Sequence, residues 1–144
     1  MLSRTDISIE LVASYCLTTY QVGIGASVFT AVYIDQYSEA MLRLLTAKNV
    51  SCAAIITAYN PLSQIQSHQK NITEHVALNE ILQKYRVSII ESINIDPTGN
   101  WPDERSICIF GMSLETARSL GQQFGQNAIV WLGNDAIPRI VLLR

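Results

Sequence analysis

The sequence predicts an α/β protein of the α+β kind: a single three-layer-like domain over residues 1–144, with a mixed sheet of about six or seven strands and three or four helices. Three observations lead there. Short runs rich in Val, Ile, Tyr and Thr recur along the chain, each bounded by Gly, Asn, Asp or Pro. Between them lie longer stretches whose apolar residues return every three or four positions, as on one face of a helix. The 144 residues are 49% hydrophobic and only 15% charged, enough for one core and too apolar for disorder.

Thr5 to Ala13 reads as a short leading helix and Tyr15 to Val22 as a strand, on its Tyr, Thr and Leu content. Gly23 and Gly25 turn the chain into a second strand, Ser27 to Ile34, so a hairpin opens the domain. Asp35 is the expected N-cap of a helix with Tyr37, Ala40, Met41, Leu44 and Leu45 on one stripe. Cys52 to Ala58 is continuously apolar, as expected of a strand covered on both faces, and Tyr59-Asn60-Pro61 stops it. A helix from about Ser67 to Tyr85 follows, with Leu78, Ile81, Leu82 and Tyr85 inward, and then a strand from Val87 to Ile93. That strand–helix–strand unit predicts parallel strands joined by a right-handed crossover.

Asp96-Pro97-Thr98-Gly99-Asn100 is a loop and Ile107 to Phe110 a strand. Ser113 caps a helix from Leu114 to Phe124, with Ala117 and Gly121 against the sheet, and Gly125 is placed to end it in a left-handed conformation. Ala128 to Leu132 and Ile137 to Leu143 are the last strands, joined at Gly133-Asn134-Asp135.

Ten Lys and Arg against twelve Asp and Glu leave a formal charge of -2. The basic residues are scattered singly, without the positive stripe that a nucleic-acid backbone requires, so no nucleic-acid partner is expected. No apolar run reaches the length of a membrane span. Asp6 and Glu10 interrupt what would be the apolar part of a signal peptide. A cytoplasmic protein without a membrane partner is the expectation. Cys16, Cys52 and Cys108 lie far apart in apolar stretches without a CxxC pair, which predicts reduced, buried thiols.

The chemistry is sparse. Gly23-Ile24-Gly25 lacks the third glycine of a dinucleotide loop, and no P-loop, GxSxG or HExxH is present. The sequence therefore leaves open whether the protein is an enzyme and names no cofactor. No metal is expected: His68 and His75 are a heptad apart, about 10.5 Å along a helix axis, too far for joint chelation. Glu91, Asp96, Asp103 and Glu104 are close in sequence but match no calcium loop, and they read as a solvated acidic cluster.

Three stretches carry a resemblance: IITAYNPLS (Ile55 to Ser63), NWPDERSICIFGMS (Asn100 to Ser113) and LGQQFGQNAIVWL (Leu120 to Leu132). In order and spacing they resemble a bacterial family known as domain of unknown function 3293. The match is thin over the first fifty residues; Tyr59 stands where Trp is commoner in that family, and Leu132 where Gly is usual. Thr57, Asn60, Pro61, Trp101, Gly125, Gln126 and Asn127 fall on the matching positions. The resemblance implies a fold and a place to look, but no reaction.

That place is the loop Thr57 to Ser63, beyond the carboxyl end of a buried strand, where α/β sheets bind ligands. Asn60, expected to be extended before Pro61, offers an amide donor and acceptor. The stripe of the following helix, traced back from Leu78, passes through His75, Asn71 and His68, so its inner face turns polar beside that loop. A helix N-terminus also favours anions. Asn60, Asn71 and His75 are thus expected to converge on a cavity for a small anionic, nucleotide-like ligand, with Thr57 and Ser63 beside them. The competing reading is that these residues only brace a turn. Gln126 and Asn127 join the site only if the strand from Ala128 runs antiparallel to the one ending at Ala58. The alternative function is a non-enzymatic interaction or regulatory module, and the apolar strand Ile140 to Leu143 could extend the sheet across a homodimer.

Overall fold

The computed structural model describes residues 5–144. The first helix, α1 (Ile9–Leu17), starts one turn later than the sequence suggests because Ser8 caps it, its hydroxyl accepting from the Leu11 amide at 3.2 Å. Helix therefore replaces strand over Tyr15 to Leu17, and β1 is only Thr19–Val22. Cys16 is consequently on an exposed helical surface, contrary to the expectation of a buried thiol; Cys52 is half-buried and Cys108 buried, and none is paired. The opening hairpin is present, β1 pairing antiparallel with β2 (Thr30–Val32).

Ser38, and not Asp35, caps α2 (Glu39–Ala47), accepting from the Met41 amide at 3.1 Å. Asp35 sits in the preceding turn with φ +64°. That later start takes Tyr37 out of the helix and leaves it exposed, while Met41 and Leu45 are buried. The remaining elements are β3 (Ala53–Ile56), α3 (His68–Leu82), β4 (Ser88–Ile95), β5 (Glu104–Phe110), α4 (Leu114–Gln123), β6 (Ala128–Leu132) and β7 (Arg139–Leu142). Ser67 and Ser113 cap α3 and α4. Gly125 takes the expected left-handed conformation, φ +68°.

The seven strands form one sheet in the order β2-β1-β4-β5-β3-β6-β7, and every ladder is antiparallel. This corrects the mixed sheet and the parallel crossover. β3 and β4 do point the same way, but β5 returns from β4 as a long hairpin, Ser88 opposite Phe110 through Asn94 opposite Glu104. It then pairs with β3 as well and separates the two. The fold is α+β.

Residues alternate between two faces, as the pleat requires. On one face Ala53, Ile55, Cys108, Phe110 and Leu132 pack with Met41 and Leu45 of α2. On the other, Ala54, Ile56, Ile107, Ile109 and Ile129 pack with Leu78 and Leu82 of α3 and Ala117 and Leu120 of α4. The sheet is a middle layer, curled so that its two edges approach. The segment after β2 donates from Asp35 N to Pro138 O (2.7 Å) and from Ser38 N to Ala136 O (2.9 Å), just ahead of β7. Among the described residues no helix is long and apolar enough to cross a membrane.

Candidate functional site

α2 fills only one end of the concave face. At the other end α1 crosses over the sheet, and a cavity of about 140 Å³ lies between them. That volume is close to an engineered protein cavity of about 150 Å³ that admits benzene. Strand register divides the walls. Tyr20 stands opposite Asn94, and Asn94 opposite Glu104, so β1, β4 and β5 present a polar row. Ile55 stands opposite Val130, and Val130 opposite Ile140, so β3, β6 and β7 present an apolar one. Leu11, Ser14 and Tyr15 of α1 roof the space.

The floor at the carboxyl end of β3 is built from two loops. Asn60 is left-handed, φ +47° and ψ 63°, not extended. Asn tolerates that conformation, and here its side chain is locked. Oδ1 accepts from the Gln66 amide (3.1 Å) and from Asn71 Nδ2 (3.0 Å), while Asn60 N donates to Asn71 Oδ1 (2.9 Å). Leu62 and Ser63 also have positive φ, 58° and 55°, so three of four consecutive residues are held where side chains are strained. The second loop holds them there. Leu62 N donates to Gly125 O (2.8 Å), and Gln126 Nε2 donates to Tyr59 O (3.0 Å). A Cβ on Gly125 would stand 3.0 Å from Pro61 Cβ. The glycine thus serves both the left-handed helix stop and the close approach of the two loops.

Asn127 faces the same cavity. Its Nδ2 donates to the Tyr15 hydroxyl (2.9 Å) and reaches Ser63 Oγ (3.3 Å), and Tyr15 and Ser63 share a 2.6 Å hydrogen bond. Asn127 Oδ1 accepts from Arg144 Nη1 (2.9 Å). Tyr20 donates to the Tyr15 carbonyl (2.7 Å), tying α1 to the sheet.

Glu104 is the charged group within. Its Oε2 accepts from Asn60 Nδ2 (2.8 Å) and Trp101 Nε1 (3.1 Å). Burial raises its pKa, and those two hydrogen bonds only partly oppose the rise. No described residue donates to Oε1. Asp96 stands at the rim, its pKa lowered by the backbone amide and hydroxyl of Thr98. No Lys, Arg or His is among the described lining residues, so the walls offer an anion no countercharge.

Of the residues singled out in the sequence, Thr57, Asn60, Ser63, Gln126 and Asn127 meet at this cavity. The condition for that is satisfied: β3 and β6 are antiparallel neighbours. Asn71 stands behind Asn60, joined to it by two hydrogen bonds. His75 does not converge with them. It faces the opposite side of the sheet, where Nε2 meets Glu91 Oε2 at 2.9 Å, and Glu91 also accepts from Arg105 (3.0 Å) and Asn79 (2.8 Å). The reason is registry: the α3 stripe packs on the face that carries Ile107 and Ile109, whereas the cavity opens on the other. The sequence cluster of acids is split by the same alternation. Glu104 and Asp96 line the cavity, Glu91 lies behind the sheet, and Asp103 is exposed. Thr57 Oγ1 donates to Arg105 O (2.6 Å) and accepts from Tyr59 N (3.0 Å).

Sequence reasoning missed Tyr15, Tyr20 and Asn94, and read Glu104 as a solvated acid. The signal that finds Glu104 and Asn94 is period two: counting back from buried Cys108 and Phe110 places Glu104 on the concave face, and cross-strand registry then adds Asn94.

No curated protein and no solved structure matches the chain. A family model does, described as protein of unknown function (DUF3293), over residues 56–129. That span runs from the end of β3 to the second residue of β6 and includes both loops that meet at the cavity. It covers just over half of the 144 residues, and the chain belongs to the DUF3293 family of proteins of unknown function.

Proposed function

We propose that this protein binds a small molecule in the cavity between α1 and the concave sheet, as a cytoplasmic ligand-binding domain. The observation that carries the reading is that two loops 65 residues apart in sequence, around Asn60 and Gly125, close on each other and turn polar side chains into one cavity. Three left-handed residues in a row of four need surrounding contacts to hold them, and strain of that kind gathers at ligand sites. The three unpaired cysteines fit a reducing compartment. An anionic ligand is disfavoured by Glu104 and Asp96.

Filling the cavity tests the reading. Ala128 lines it from the first position of β6, and Ala128→Leu would add three carbons to that wall while removing none of the polar side chains. Ligand at 100 times its dissociation constant stabilises by about 2.7 kcal/mol, a shift of several degrees in melting temperature. A compound that shifts wild type and not Ala128→Leu supports the site. Equal shifts in both proteins, or none from a panel of amines, amides, sugars and carboxylates, would favour an interaction module whose motifs only brace the fold.

A further inference from the structure

Resting on that cavity reading, we propose that the ligand is a small organic cation, an alkylammonium, held with its charged end against Glu104 and its aliphatic end against Ile55, Val130 and Ile140. The cavity is bipolar across the strands. Glu104 and Asn94 are direct neighbours on β5 and β4, while the apolar trio is in register on β3, β6 and β7. Glu104 has one oxygen engaged by Asn60 and Trp101 and the other without a donor among the described residues. An ammonium is the donor that a partly buried carboxylate lacks.

The aromatic residues point the same way. Tyr15, Tyr20 and Trp101 all line the cavity, and a cation is attracted to the face of an aromatic ring. The guanidinium of Arg144 hydrogen-bonds Asn127 and is not among the described lining residues. Arg105 is engaged with Glu91 on the other face of the sheet. The volume of about 140 Å³ suits a ligand of roughly benzene size, such as a four- or five-carbon amine. Burial raises the pKa of the Glu104 carboxyl group, and a cation beside it would favour the ionised form.

The test uses three probes that carry the same butyl chain, n-butylammonium, 1-butanol and pentanoate, titrated into the whole chain. The readout is the indole N–H resonance of Trp101, which donates to Glu104. The expected result is saturable binding of n-butylammonium to wild type, at least tenfold tighter than either other probe. Glu104→Gln keeps an oxygen acceptor for Asn60 and Trp101 but removes the charge, and should weaken the ammonium at least tenfold. If the alcohol or pentanoate binds as tightly as the ammonium, and Ala128→Leu abolishes that binding, the cavity is a ligand site but the cation inference is overturned. Unchanged binding of the ammonium to Glu104→Gln overturns it as well. If no probe moves the Trp101 signal of wild type, the cavity reading fails and this inference with it. The wild-type comparison decides the matter even where a variant does not fold.

Discussion

Replacing Asn60 with Ala removes three side-chain hydrogen bonds at once. The one from Nδ2 to the Glu104 carboxylate is charge-assisted; those accepted by Oδ1 from Gln66 N and Asn71 Nδ2 are neutral. At about 2 kcal/mol for the first and about 1 kcal/mol for each of the others, the loss is about 4 kcal/mol. Alanine also tolerates φ near +47° less well than asparagine, adding up to about 1 kcal/mol. Water entering from the adjoining cavity can replace the donor to Glu104, which returns some of this. The expected net loss is about 3 kcal/mol, or roughly 10 °C in melting temperature for a chain of this size. Equilibrium urea unfolding of wild type and Asn60→Ala measures it directly. A loss below about 1 kcal/mol would refute the account of Asn60 as the residue that ties the loop after β3 to α3 and to Glu104 of β5. Asn60→Asp sharpens the comparison, because it sets a second carboxylate 2.8 Å from Glu104 and should be at least as damaging at neutral pH.

Other outcomes follow from the same geometry. Gly125→Ala meets both an unfavourable φ of +68° and Pro61 Cβ at 3.0 Å, so it should cost about 1 to 2 kcal/mol by denaturant titration; an unchanged midpoint would mean that the two loops separate freely. Among the cysteines only the exposed Cys16 should react quickly with a thiol reagent on native protein. Cys108 should stay unmodified, its pKa pushed up to about 12 by burial, and fast labelling of more than one thiol would contradict the packing. Glu104 carries a raised pKa, so between its unfolded and folded values the native state binds the extra proton and stability falls as pH rises. Asp96, Tyr15 and Tyr20 are the other titratable groups lining the same space. The stability of Glu104→Gln relative to wild type should therefore improve as pH climbs through that window and then level off. Parallel pH curves would show that the carboxylate is not desolvated.

The elements with strong local signals were legible. Ser67, Ser113 and Gly125 mark helix ends by capping chemistry alone, and the unbroken apolar run at Ala53–Ile56 announces a strand covered on both sides. Sheet topology was not, because whether β4 joins β3 or returns through β5 depends on long-range pairing that no local window contains. The site was half legible for the same reason. Asn60 and Asn127 stand out as amides in tight turns, but their meeting depends on β3 and β6 being antiparallel neighbours. His75 and Asn71 lie on one helical stripe in sequence, yet that stripe packs behind the sheet, so His75 is drawn to Glu91 and not to the cavity. Tyr15 looked like strand because Tyr and Thr favour strands; the Ser8 cap overrides that preference and turns its hydroxyl toward Asn127.

The proposal that the two loops build one bipolar cavity, taking a ligand in a single orientation, meets its sharpest test in nuclear Overhauser contacts from bound n-butylammonium. The expected contacts run from the terminal methyl to the side chains of Ile55, Val130 and Ile140, and from the methylene next to nitrogen to the Trp101 indole N–H. Contacts confined to the surface between α3 and α4, where Lys70, Glu74 and Phe124 border a shallow groove, would contradict it.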